Sequence, residues 1–319
     1  MGNQTILNEL FLSGLSDIPA LQLPLFLFFL LIYLLTLIWN LLIISLIVSD
    51  SHLHTPMYFF LGNLASLDLF CSSVTVPRML FDLLTQRRKI TKTACITQVF
   101  FFLFFAISEV FLLAVMSYDR YTAICRPLHY IQIMSWKVCV QLASIVWGLG
   151  SSYSLVQTLC ALHLTFCESA IIESFFCDLP PLLQISCSDI YINILLIFVL
   201  GGFLGVGSLT LTIFPYVSIF KTVLKIQVKG KRSKVFLTCS SHLTVVFIFY
   251  CSTVFNYFRP KTYNHFAADK VVSVFYTVIV PLLNPLIYSL RNKDLRTAFQ
   301  SVFLGISSKQ NTEIILAKP

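Results

Sequence analysis

Residues 99–125 read VFFFLFFAISEVFLLAVMSYDRYTAIC, and this run sets the architecture. From Val99 to Val115 it carries a single ionisable side chain, Glu109. It then meets Asp119 and Arg120 about where a helix of membrane-spanning length reaches the polar interface. An acid beside a base can hold it in check. The plainer reading is an arginine that anchors a helix end at the interface, the usual role of such residues.

Working outward, the 319-residue chain is 57% hydrophobic and only 11% charged, against about 25% charged in an average soluble domain. It is read as an all-α membrane protein. Spans are expected at 25–49, 57–84, 93–124, 138–162, 191–223, 235–258 and 271–290, giving a seven-transmembrane helix bundle. The apolar runs are continuous, which argues against a transmembrane barrel. The expected division is an extracellular tail over 1–24, the bundle over 25–290, and a cytoplasmic amphipathic helix and tail over 291–319. In that last segment Leu295, Ala298, Phe299 and Val302 recur at helical spacing with charges opposite.

The net charge of +8 is sorted by loop. Bases outnumber acids heavily on the side that holds Arg120, Arg126, Lys137, Lys221–Lys234 and Arg291–Arg296, and balance them on the other. No Lys or Arg precedes the first span, and Asn3-Gln4-Thr5 is a glycosylation acceptor, so the amino terminus is expected outside and the carboxyl terminus inside, at the plasma membrane. The basic inner stretch 221–234 is expected to be a loop lying against anionic lipid. The lipid bilayer is the partner this charge pattern implies, and no nucleic acid is expected. Cys95, Cys167, Cys177 and Cys187 share the outer side and permit three connectivities, with two bridges expected. The other cysteines read as reduced packing residues.

Asp68 and Glu109 lie inside apolar spans, so both are expected to face the bundle. They would hold a sodium ion or a shared proton, or form a hydrogen-bonded knot between helices. Pro281 and Pro285 break backbone bonds in the last span, a bend that Asn284 is expected to relieve in part. Ser240, Ser241 and His242 have no acid nearby and no nucleophile elbow, so no enzyme activity is expected. A transporter with a proton relay through Asp68 and Glu109 is the rival class, but no internal repeat supports it.

Four segments together carry a family resemblance: LHTPMYFFLGNLASLD (53–68), MSYDRYTAIC (116–125), KVFLTCSSHLTVV (234–246) and PLLNPLIYSLRN (281–292). In order and on the expected helices, they resemble the olfactory (odorant) receptor family of rhodopsin-like G-protein-coupled receptors. Trp39, Ser117, Pro215 and Cys251 depart from its usual residues, and Cys251 is expected to alter the floor of the ligand pocket. The resemblance implies a small odorant near Phe102, Leu103, Ala106, Ile107, Leu204, Tyr250, Thr253, Val254, Tyr257 and Thr277. It implies coupling to a stimulatory heterotrimeric G protein that raises cyclic AMP, through Asp119, Arg120, Tyr121, Tyr216, His242, Asn284 and Tyr288. It further implies bridges Cys95–Cys177 and Cys167–Cys187, a sodium pair at Asp68 and Glu109, and no other cofactor.

Overall fold

The computed structural model describes residues 9–167, 171–225, 229–257, 266–291 and 295–300. Among these, seven long helices form one bundle: α1 (Pro19–Ser49), α2 (Pro56–Thr85), α3 (Lys92–Cys125), α4 (Trp136–Leu162), α5 (Tyr191–Lys225), α6 (Lys229–Tyr257) and α7 (266–291). All but α6 are long and apolar enough to cross a bilayer; in α6 the apolar stretch is His242–Asn256, because the preceding turns carry KGKRSK. Large apolar side chains such as Leu31, Phe203 and Phe214 are exposed on the outside of the bundle, while Asn40, Asp68, Ser108 and Asp119 are buried inside it. That inversion is what lipid as the outer solvent requires, since polar groups must be satisfied within the protein.

Several boundaries follow from single residues. Pro56 opens α2 after Thr55, where its missing N–H costs nothing. The Thr91 hydroxyl accepts from Ala94 N–H and caps α3. Pro19 likewise starts α1, so the first helix extends well outside the expected span. The stretch expected to be a basic inner loop is mostly helical, with α5 running to Lys225 and α6 beginning at Lys229.

Residues 9–18, ahead of α1, are held against the outer loops. Glu9–Leu12 (β1) pairs antiparallel with Lys89–Thr91 (β2) and parallel with Ile171–Ile172 (β3). Leu10 and Leu12 point inward and are buried, while Glu9 and Phe11 face out. Arg88 ties this segment down by donating to the carbonyls of Ser13 at 2.6 Å and Ser16 at 2.9 Å and pairing with Asp17.

Helix α3 is the hub, packed against α2, α4 and α5. Its approach to α4 depends on Gly150, where a Cβ would sit 2.1 Å from Ser108 Oγ and 2.8 Å from the Phe104 carbonyl. Two helices carry a π-helical turn, Ile197–Gly201 in α5 and Phe275–Ile279 in α7. Residues 295–300 are helical, with Leu295 and Ala298 buried and Phe299 set edge-on to Trp39 of α1 at 5.6 Å. The position expected to continue that face, Val302, lies outside the described residues, as does Asn3.

Candidate functional site

Three groups of side chains stack along the bundle. The outermost surrounds a cavity of about 80 Å³. Where about 10–15 Å³ of such volume takes one water, this space takes a molecule of roughly five to eight heavy atoms. Phe102, Leu103, Ala106 and Ile107 of α3 and Thr253 of α6, which the family resemblance places near the odorant, line it.

Others expected there lie elsewhere. Val254 is 55% exposed, because the residue after Thr253 turns about 100° round the helix and faces lipid. Tyr250 donates to Ser208 Oγ at 2.9 Å and belongs to the packing between α6 and α5. Thr277 is fully buried and bonds back to the Ser273 carbonyl, while Leu204 packs one turn deeper on α5. The Tyr257 side chain lies outside the described ones. Cys251 is exposed on the bundle surface and forms no part of the cavity floor.

Their places are taken by Ile197 and Gly201 of α5, Asn256 of α6, Tyr276 of α7 and Tyr153 of α4. Ile197, Gly201 and Tyr276 all belong to the π-helical turns. An extra residue in a turn rotates everything beyond it. The second outer loop closes the cavity: Phe176 lies edge-on to Phe102 at 5.2 Å and to Tyr276 at 6.4 Å. That loop is pinned to α3 by Cys95–Cys177 and to itself by Cys167–Cys187.

The middle group is the acid pair. Glu109 lines the cavity floor and is 4% exposed, and Asp68 is fully buried. Both accept from one amide, Asn284 Nδ2, at 3.0 Å each to Glu109 Oε1 and Asp68 Oδ1. Asn284 is thus committed to the acids and does not relieve the proline bend. Asn40 of α1 does so, donating at 3.1 Å to the Pro281 carbonyl, the one that Pro285 cannot reach for want of an N–H.

At the inner end, Arg120 Nη2 donates to Asp119 Oδ2 at 3.0 Å, and Asp119 is 1% exposed. Tyr130, from the turn after α3, donates to the other carboxylate oxygen at 2.8 Å. The sequence reading missed this residue, although a tyrosine soon after an interfacial acid is a visible signal. Tyr216 of α5 and His242 of α6 share a hydrogen bond at 2.7 Å, and the Tyr288 ring of α7 lies 6.5 Å from the imidazole. Tyr121 packs beside Tyr216 with the Arg126 guanidinium 5.9 Å from its ring. Among the described residues no group of three or more His, Cys, Asp or Glu side chains suits a metal ion.

Comparison with known proteins agrees with this layout. The solved structure of squid rhodopsin matches with a TM-score of 0.64 at 19% identity, covering 91% of this chain and 87% of that one, which shows a shared seven-helix fold. Human olfactory receptor 5B12 is 47% identical over 300 residues, covering 94% of this chain and 96% of the relative. Mouse olfactory receptor 8A1 is 48% identical over 297 residues, covering 93% and 96%. The profile of the olfactory receptor family matches residues 29–305. With a matching profile over most of its length and relatives at nearly half identity, the chain belongs to the olfactory receptor family, multi-pass membrane receptors rather than enzymes.

Proposed function

We propose that the cavity binds a small, mostly apolar volatile and that its occupation activates a stimulatory heterotrimeric G protein, raising cyclic AMP. The observation that carries this reading is that one helix, α3, holds both ends of the device. Glu109 floors the cavity, and Arg120, held by Asp119, stands about 16 Å further along the same rod at the inner end. Asn284 links that floor to the proline-broken α7, so a ligand that shifts Glu109 also biases the packing of α7 against α3. Release of Arg120 from Asp119, with Tyr121, Tyr216, His242 and Tyr288 rearranging around it, would open the inner face to the G protein. In this arrangement the amino terminus faces outward, Asn3 carries a glycan, and the receptor works at the plasma membrane.

Burial of ~200 Å² at ~25 cal/mol per Å² gives about 5 kcal/mol before association costs, so affinity is expected to be micromolar or weaker. Two carboxylates sharing one amide in an apolar interior call for a proton or a small hard cation between them, and the oxygen donors of Asp68 and Glu109 suit sodium. Arg120→Ala is expected to abolish odorant-evoked cyclic AMP while surface labelling stays at the wild-type level. An undiminished response in that variant would overturn the proposal.

A further inference from the structure

The outer end of the cavity is closed by polar groups whose hydrogen-bonding roles are set by one carboxylate. Asp178 follows the bridged Cys177 and is 2% exposed. Its Oδ2 accepts from Asn256 Nδ2 at 3.1 Å and from Tyr276 Oη at 3.3 Å, and its Oδ1 accepts from the Leu179 N–H at 2.8 Å. Asn256 Nδ2 also donates to Tyr276 Oη at 3.2 Å.

Both Asp178 oxygens act as acceptors here, so the Asn256 amide turns its nitrogen toward them. Both of its N–H bonds are then used, and the Tyr276 proton is used as well. What Asn256 has left is Oδ1, which receives no hydrogen bond among the described residues, on a cavity-lining side chain that is 7% exposed. Thr253, less than one turn away, spends its hydroxyl proton on the Phe249 carbonyl at 3.0 Å. Glu109 at the floor is an acceptor of the Asn284 amide. The Tyr153 hydroxyl, at the side, can serve in either sense. A guest that donates a hydrogen bond therefore finds partners at the ceiling, the side and the floor. One that only accepts meets acceptors at the ceiling and the floor and is left with the Tyr153 hydroxyl as its donor among the groups just named.

Building on the ligand-binding function proposed above, we infer that this cavity selects its ligand by hydrogen-bond polarity. An aliphatic alcohol is preferred over an ether of the same size that can only accept, and Asn256 is the residue that reads the difference. Asp178 and Tyr276 act as positioning residues that keep the amide oxygen free. An anionic guest is disfavoured by the cost of bringing its charge into a mostly apolar cavity whose polar groups present acceptors. Leaving a buried acceptor unmatched is expected to separate alcohol from ether by about tenfold or more.

The test uses 1-hexanol and pentyl methyl ether, which have equal heavy-atom counts and fit the cavity. Each is titrated against the purified full-length receptor by thermal shift, and in cells by cyclic AMP. The wild-type receptor is expected to be stabilised by the alcohol at one-tenth or less of the ether concentration. Asn256→Leu should bring the two midpoints within about twofold while leaving the ether midpoint where it was. Asp178→Asn, which lets the Asn256 amide turn over, should shrink the ratio without abolishing alcohol binding, an effect a merely structural role would not produce. Equal wild-type midpoints, stabilisation by neither compound, or an unchanged ratio in Asn256→Leu would overturn the inference. Should Asn256→Leu fail to fold, an unchanged ratio in Asp178→Asn overturns it alone. The expected ratio without any cyclic AMP would retire the signalling proposal and leave this one standing; cyclic AMP without the ratio would do the reverse.

Discussion

Replacing Tyr130 by phenylalanine removes one oxygen from the inner face and leaves the ring that packs there. The bond lost is the 2.8 Å donation to Asp119 Oδ1. Burial first, and then the adjacent Asp119 carboxylate, push the Tyr130 phenol upward, so it is a donor throughout the physiological range. With Oδ1 occupied by Tyr130, the carboxylate presents Oδ2 to Arg120 at 3.0 Å. Hydrogen bonds to charged groups contribute about 1.5–3 kcal/mol. If the bond exists only in the resting arrangement, its loss multiplies the active-to-resting ratio by roughly 10 to 150. A receptor with about 1% of molecules active at rest would rise to roughly 10–60%. The assay is agonist-free cyclic AMP in cells, divided by surface-labelled receptor, for the wild type and Tyr130→Phe. Basal signalling at or below wild type with equal surface labelling would refute the reasoning, because the carboxylate would then hold Arg120 without help from the loop.

Gly150→Ala places a methyl 2.1 Å from Ser108 Oγ and 2.8 Å from the Phe104 carbonyl, which forces α4 off α3 and should destabilise the receptor by about 1–3 kcal/mol. A melting temperature in detergent within error of wild type would refute it. At the outer face, the hydrogen bond from Arg88 holds the Asp17 carboxyl below its ordinary range, so the pair's contribution is complete above the unfolded value of about 3.9. It is lost only as the pH falls through the lowered value. Amide exchange in Glu9–Leu12 should therefore be unchanged between pH 7 and pH 5 after correction for intrinsic rates. In Asp17→Asn it should rise modestly at both, as expected for an exposed ion pair. Loss of protection in the wild type already at pH 5 would show that another group controls the strand.

Most of the bundle was legible because hydropathy acts over twenty residues at a time, and errors of a few residues at each end do not change it. Leu25 and Pro19 differ as starts of the first helix, yet both leave it crossing the same layer. Glu9–Leu12 was not legible: four residues become a strand only because Lys89–Thr91 and Ile171–Ile172 are brought to them from far along the chain. The cavity was half legible for a similar reason. The positions that the resemblance implied on α3 line the cavity, whereas on α5 and α7 the lining comes from residues of the π-helical turns, which hydropathy does not mark. Asn284 was seen as a polar residue beside two prolines. That its amide is taken by Asp68 and Glu109, leaving the freed carbonyl to Asn40, depends on which helices are neighbours.

Those two widened turns have a consequence for how such a receptor can diversify. Each stands at cavity depth and separates an outer half-helix from an inner one. Each outer half is wound out of phase with its inner half by the extra residue of the turn, so the face it turns to the cavity is set there. Deleting one residue from Ile197–Gly201 would restore regular winding and swing the entire outer segment of α5 by about 100°. The set of side chains that meets a guest at the mouth thus depends on one residue's worth of winding in each of these helices.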